Sequence, residues 1–523
     1  MSGTEQGWPL RLDGVLARAA LTEPEREAVV FDDLSWTYRV VYDRARRLAG
    51  GLAALGVAKG DRVALWTTNR AEFVEIFFGV PRLGAIVSPL DYWWSWEEAQ
   101  AALRQIQPRV LIVGSAQASI VAKWPDAIRD AGIEHVLCLD DPPGGSPLAC
   151  YQDLVDDAAP VDEPVVVKAD DPALILFTSG STGRSKGAVH THGGLLSAAM
   201  TMSLELGLRD GERTLHFLPL FSSCLEHLLP LTLVRATHVL LAQFDTRVVW
   251  ETVRDAGITH FDAVPTTLRR LLEAAPDRIP SSLRLISYAS ERMPTPLITA
   301  LIERMPAVSF VQFYGMIEHL CLTVLGASDQ LRKIGTVGHP MVGAELYLVD
   351  GHNQPVGRGE TGEIVARSPT LFAGYWGDPV ATAHVMRGQA MRTGDLGRFD
   401  DDGFLWLEGR MKEVIKTGGF TVIPTEIEAA LMSHPQVSDA AVVGVPDEQW
   451  GEAVHAFVIL APQASVAEAE LIAFCQERLA RYKRPKAIHV VAELPRTGIG
   501  KIARRVVRDR LIAATVNQPK ESR

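Results

Sequence analysis

A rhythm in the sequence restricts the fold more than any other feature. Short apolar, β-rich runs recur at residues 62–66, 110–113, 135–139, 174–178, 238–241 and 310–314, with longer stretches of helical apolar spacing between them. Two such stretches are 38–55 and 244–256, the second opened by Asp245 and Thr246 as caps. Strands that alternate with helices, and that are apolar without a break, belong to parallel sheets covered on both faces. With 523 residues, 47% of them hydrophobic, the chain exceeds what one core serves, so at least two domains are expected.

The rhythm changes near residue 400. Asp400, Asp401, Asp402 and Gly403 make a polar turn, followed by a short strand and a charged segment at 408–416. Beyond it, helix signals at 424–432 and 467–480 and strand signals at 440–445 and 453–460 suit a small α+β domain. The expected fold class is α/β. A large N-terminal domain with parallel-rich β-sheets covered by helices spans 1–409, and a small α+β C-terminal domain spans 410–523. No internal repeat is found.

Charge and termini exclude several classes. The net charge is −11, from 52 basic and 63 acidic residues, and no long Lys/Arg stripe offsets it, which argues against nucleic acid as a partner. The five cysteines, at 138, 150, 224, 321 and 475, are scattered and lack metal-type spacing, as expected of reduced thiols in a cytoplasmic protein. The first residues carry no basic start followed by an apolar core, so no export signal is read. The most apolar region, 225–242, is interrupted by Glu226, His227, Arg235 and His238; a buried helix followed by a strand is expected there, not a transmembrane segment.

The sharpest local signal lies at 174–187, where an apolar strand runs into Thr178, Ser179, Gly180, Ser181, Thr182, Gly183, Arg184, Ser185, Lys186 and Gly187. Such a loop wraps phosphates. Glycine lets backbone N–H groups approach closely, the hydroxyls add donors and Lys186 adds charge. It is not a Walker A loop, which ends in Gly, Lys and Ser/Thr, whereas the order here is Ser185, Lys186, Gly187. A plain surface loop would explain the Gly and Ser content but not this order after a strand.

Residues 178–187 resemble the signature loop of the adenylate-forming superfamily: acyl-CoA synthetases, peptide-synthetase adenylation domains and luciferases. Four further segments match in the same order. Tyr314-Gly315-Met316-Ile317-Glu318 follows a β run, and the resemblance implies that it borders the nucleotide, with Glu318 as a catalytic residue that holds the Mg²⁺ accompanying ATP. Asp395, in Arg392-Thr-Gly-Asp395, is implied to accept hydrogen bonds from the ribose hydroxyls. The stretch 409–428 resembles the inter-domain hinge. It implies that Arg410 contacts the nucleotide, that Lys412 is the hinge, and that Gly418 and Gly419 wall the pantetheine arm of CoA, with Lys416 serving the second half-reaction. Residues 494–502 resemble the terminal motif, whose lysine, here Lys501, reaches the carboxylate and α-phosphate during adenylation.

The resemblance implies an AMP-forming acyl-CoA synthetase with a mobile C-terminal domain, taking ATP, Mg²⁺, CoA and a small-molecule carboxylic acid at the domain junction. Acyl-AMP and pyrophosphate form first, then acyl-CoA and AMP. Two alternatives share these motifs. One is a stand-alone adenylation enzyme that loads a carrier protein; the other is a nucleotide-binding regulatory protein without catalysis.

The sequence departs from the family at three places. Ile317 stands where a threonine is usual, and losing a hydrogen bond to a charged group costs roughly 1.5–3 kcal/mol. After Phe221, where many members place a gating His, the chain has Ser222; and bulkier, charged residues at 287–293, Tyr288 among them, replace a Gly/Ala/Pro-rich loop. Phe221, Ser222 and Tyr288 are therefore the expected acyl-pocket residues, and a wider gate would admit a bulky acid.

Overall fold

A computed structural model describes residues 11–142, 148–178, 185–223, 227–447, 449–496 and 502–516. The chain divides into two compact units, residues 1–345 with 366–391, and residues 346–365 with 392–523.

The first unit is built on two sheets. One runs in the order Gly374–Tyr375, Lys186–Thr191, Pro172–Thr178, Ile86–Pro89, Arg62–Trp66, Val110–Val113, His135–Cys138, Ala149–Cys150. It is parallel from Pro172–Thr178 onward and antiparallel at the Lys186–Thr191 and Gly374–Tyr375 edge. The other has nine strands, and its six central strands, Ser309–Met316, Leu285–Tyr288, His260–Ala263, Arg213–His216, Thr237–Leu240 and Glu27–Phe31, pair in parallel. Both sheets feed one core, in which Leu65 and Leu174 of the first and Val29 and Leu240 of the second meet the helices Tyr38–Ala54, Glu72–Arg82 and His192–Glu205.

Local rules explain the helices. Tyr38–Ala54 starts where the Thr37 hydroxyl accepts from the Val40 N–H, and it buries Val41, Ala45, Leu48, Ala49 and Leu52 along one stripe. Thr246–Asp255 starts at Asp245, whose carboxylate accepts from the N–H groups of Arg247 and Val248, the cap expected from sequence. The region read as buried helix then strand holds helix Leu229–Leu233 and strand Thr237–Leu240, with residues 224–226 outside the described part. Among the described residues no helix is long and apolar enough to cross a membrane.

The two faces of the nine-stranded sheet differ. Phe217, Val239, Phe261, Ile286 and Phe310 form an apolar core with the helices Thr246–Asp255, Pro265–Glu273 and Thr295–Arg304. On the strands' alternate positions lies a buried polar stripe. His216 Nε2 is 2.9 Å from His238 Nδ1, whose other nitrogen is 3.0 Å from Thr232 Oγ1. His260 bridges Thr214 Oγ1 at 3.3 Å and Ser287 Oγ at 3.0 Å; Ser287 donates to Asp262 Oδ1, and His227 Nε2 stands 2.9 Å from Asp262 Oδ2. Burial pushes His216 and His260 well below the ordinary histidine range, and His238 down to about 3, so these rings are neutral.

The second unit takes in most of the strands Gly362–Arg367, Ala390–Phe399 and Leu405–Arg410, and a sheet ordered Phe420–Val422, Ile415–Thr417, Gly451–Leu460, Val437–Asp447, with Ala487–Val490 parallel to Gly451–Leu460. Strand Val437–Asp447 turns Ala440 and Val442 toward helices Pro424–Met432 and Glu468–Arg478, and Ala441 and Val443 toward Val507 of helix Arg504–Val516. The small α+β arrangement is as expected, with the expected strand 440–445 extended at both ends to Val437–Asp447 and 453–460 extended at its start to Gly451–Leu460. The boundary at 409/410 rests on the hinge, which is taken up below.

Candidate active site

The phosphate-type loop is carried by a hairpin. Ala173 to Leu176 are buried, and the strand Pro172–Thr178 pairs antiparallel with Lys186–Thr191 so that Thr178 faces Lys186 across the mouth. Ser179, Gly180, Ser181, Thr182 and Gly183 lie outside the described residues. The short strand Gly374–Tyr375 adds to the hairpin's other side, Tyr375 opposite Ala188, and the Trp376 N–H donates to the Gly187 carbonyl at 2.7 Å. The Lys186 ammonium consequently lies over the Tyr375 ring, 5.1 Å from its centroid.

Tyr375 connects this lysine to the second predicted group. Its hydroxyl donates to Glu318 Oε1 at 2.6 Å, and burial together with the Glu318 charge pushes the phenol's pKa well up, so it stays a donor. Glu318 sits in the turn between the antiparallel strands Ser309–Met316 and Leu320–Leu325 and is 8% exposed. That turn is tight. A Cβ on Gly315 would fall 1.7 Å from the Leu320 carbonyl oxygen, so only glycine fits beneath it. The Phe372 N–H, donating to the Glu318 carbonyl at 2.8 Å, and Thr370 Oγ1, donating to the His319 carbonyl at 2.6 Å, fix the turn from the segment that delivers Tyr375. Tyr314 is buried opposite Thr323, and Ile317 packs against the clusters containing Ala188 and Phe372.

In the second unit Asp395 and Arg410 face each other on neighbouring strands, Asp395 Oδ1 3.0 Å from Arg410 Nε. Asp395 is 6% exposed while Arg410 is exposed. The strand just before Asp395 is held by Glu363, whose carboxylate pairs with Arg392 and accepts from the Gly394 N–H at 3.2 Å. Glu363 was not foreseen; it lies on a different strand, and only the backbone pairing brings it in.

Lys412 is exposed in the 3₁₀ turn Met411–Glu413. Lys416 is exposed on strand Ile415–Thr417, its N–H donating to Glu452 Oε2 at 2.8 Å. Gly418 and Gly419 form a two-residue turn with φ of +57° and +82°, joining Thr417 to Phe420, the left-handed pair that a tight β-hairpin requires. Gly418 leans on Trp450, where a Cβ would come within 2.8 Å of the indole. Lys501 lies outside the described residues.

The three expected acyl-pocket residues are placed differently from one another. Phe221 packs edge-on against Tyr92 and Trp93, with centroids 5.5 and 6.1 Å away, and the adjacent Trp94 packs against Phe177, one residue before Thr178. This aromatic run was missed from sequence; the triplet Tyr92-Trp93-Trp94 was its signal. Ser222 donates to the Pro219 carbonyl at 3.2 Å, within its own turn. Tyr288 is 1% exposed in the apolar core of the nine-stranded sheet, its hydroxyl donating to Gln330 Oε1 at 2.6 Å.

The chain is similar to known proteins along most of its length. The model of the AMP-binding enzyme family matches residues 16–376, and that of the AMP-binding enzyme C-terminal domain matches 426–501. A long-chain-fatty-acid–CoA ligase of Mycobacterium tuberculosis, FadD13, is 34% identical over 525 residues, 97% of this chain and 98% of its own. Among solved structures, ATP-bound MatB from Rhodopseudomonas palustris superposes with a TM-score of 0.88 at 28% identity, covering 96% of this chain and 99% of its own. The o-succinylbenzoate CoA synthetase MenE from Bacillus subtilis, in complex with its acyl-adenylate intermediate, gives 0.82 at 30% identity over 97% and 98% of the two chains.

Proposed function

The chain belongs to the AMP-binding enzyme family, and from that premise we propose how its residues divide the work of an acyl-CoA synthetase. The enzyme is an ATP-dependent ligase. A carboxylate oxygen bonds to the α-phosphorus of ATP as pyrophosphate leaves; the thiol of CoA then attacks the acyl carbonyl of the adenylate and AMP leaves. The observation that carries the division of roles is the convergence of Lys186 and Glu318 on Tyr375, beside the strand pair that bears the phosphate loop.

In this reading Thr178, the loop residues 179–183 and Lys186 hold the triphosphate. Tyr314 and Gly315 border the nucleotide, Asp395 takes the ribose and Arg410 the adenylate. Glu318 suits Mg²⁺: it is a hard carboxylate ligand whose Oε1 is fixed by Tyr375 and whose Oε2 takes no hydrogen bond among the described residues. A bound Mg²⁺ would supply charge neutralisation at the phosphates. Both anionic partners must meet there, so positive charge has to be supplied where charge accumulates. Lys501 adds it during adenylation. Lys416 and the side-chain-free Gly418–Gly419 turn serve thioester formation, with Lys412 as the hinge of a division near 409/410. Lys501→Ala should therefore abolish acyl-AMP formation while sparing thioester formation from supplied acyl-AMP, and Lys416→Ala should do the reverse; equal loss of both steps in both variants would refute the exchange.

The acyl group is assigned to the side bearing Phe221, Tyr92 and Trp93, whose packed rings favour an acid with a bulky apolar or aromatic body. The test is pyrophosphate release from MgATP over short, long, aromatic and polycyclic acids, with and without CoA. Release with thioester from bulky acids supports the assignment. Saturating turnover of acetate alone overturns the pocket reading, and acyl-AMP without acyl-CoA moves the acceptor to a carrier protein.

A further inference from the structure

Lys186 and Glu318 carry opposite charges and approach the same side chain, yet among the described residues neither forms an ion pair with the other. One lies against the face of the Tyr375 ring, the other at its hydroxyl. A lysine and a carboxylate this close to a common neighbour would, in its absence, neutralise each other, and two groups so engaged are poor ligands for phosphate and metal. We propose that Tyr375 is a positioning residue that keeps this cation and this carboxylate apart, the ring face docking Lys186 and the hydroxyl turning Glu318, so that both remain available to MgATP.

The surroundings fit a rigid spacer. Tyr375 is held by backbone pairing to Ala188, its N–H donates to Thr382 Oγ1 at 2.9 Å, and its ring meets Phe372 edge-on at 4.9 Å. Phe372 in turn fixes the Glu318 carbonyl, so one segment sets both the spacer and the turn it contacts. The ring and hydroxyl have separable tasks. A cation is attracted to the π-face whether or not the hydroxyl is present, whereas the carboxylate is oriented by the hydroxyl alone.

The inference rests on the proposed roles of Lys186 and Glu318, and its test separates the two. Mn²⁺ binding is read by electron paramagnetic resonance on the full chain with α,β-methylene-ATP, and ATP binding in EDTA is read by calorimetry. Tyr375→Phe should weaken Mn²⁺ binding about tenfold, the scale of one hydrogen bond to a charged group, and leave metal-free ATP binding unchanged. Tyr375→Leu should also weaken metal-free ATP binding about tenfold, because Lys186 closes onto Glu318. Adding Glu318→Gln to Tyr375→Leu should then restore metal-free binding. A structural role for Tyr375 predicts no such rescue. Failure of rescue, or wild-type metal-free binding in Tyr375→Leu, overturns the spacer. Unchanged Mn²⁺ affinity in Glu318→Gln alone overturns the metal assignment instead and leaves the metal-free comparison to decide the spacer.

Discussion

The first unit contains two polar assemblies put together in opposite ways. In the nine-stranded sheet His216, His238 and His260 are neutral and buried, and each ring passes on to another polar side chain: His216 to His238, His238 to Thr232, His260 to Thr214 and Ser287. Around Tyr375 the groups are charged, and their contacts orient them without neutralising them. A buried polar group that serves the fold is closed on protein partners, because an unmade hydrogen bond there costs roughly 1–3 kcal/mol. One that serves a ligand keeps capacity in reserve.

Substitutions can break this contrast. The largest effect is expected from Glu318→Gln, which removes a charge from the site proposed for MgATP. Carboxylate-dependent pyrophosphate release should fall on the order of 10²–10³-fold, with the unfolding midpoint in urea nearly unchanged. His260→Leu should do the opposite. It leaves Thr214 without its ring partner in the core and takes one of the two partners of Ser287, so urea unfolding should show a loss of about 2–4 kcal/mol while kcat/KM of the folded enzyme holds. If His260→Leu instead lowers kcat/KM at full stability, the histidine stripe belongs to the site and the distinction fails.

The smallest effect is a dependence on pH. Burial holds His238 down to about 3 in the folded chain against an ordinary 6.5, so as pH falls the unfolded chain takes up its proton first. The stability this provides is fully present above about 6.5 and is lost as pH falls from there toward 3, at up to about 1.4 kcal/mol per pH unit. Urea titrations from pH 7.5 to 5 should show the decline, and His238→Gln should make it shallower while the share of His216 and His260, which burial also holds down, remains. An equal slope in that variant would mean that other groups dominate.

Strand existence was legible because burial on both faces leaves no choice of residue: Arg62–Trp66 and Val110–Val113 fall where their apolar runs do. The helix start at Asp245 was legible because a cap is a local hydrogen bond. Lys186, Glu318, Asp395 and Arg410 were each marked by their motifs, but their groupings were not. Tyr375 lies 57 residues beyond Glu318, on a strand of two residues, too short for any periodicity to register. Glu363 holds the stretch just before Asp395 from another strand, and nothing near it in sequence says so. His238 read as an interruption of an apolar run; its partners His216 and Thr232 come from a neighbouring strand and a helix, which only the tertiary fold brings together.

The hairpin that carries the phosphate loop has one more consequence. Strand Lys186–Thr191 follows the loop directly, and the helix His192–Glu205 starts only after that strand, so in chain order the loop does not lead into a helix. On the proposed assignment of the triphosphate to this loop, its attraction comes from backbone N–H groups, hydroxyls and the side-chain charge of Lys186 and not from the macrodipole of a helix that the loop itself opens. Charges of that kind, near the surface, are screened within about 10 Å at 0.1 M ionic strength. On that assignment, raising the ionic strength weakens nucleotide capture by screening the Lys186 charge.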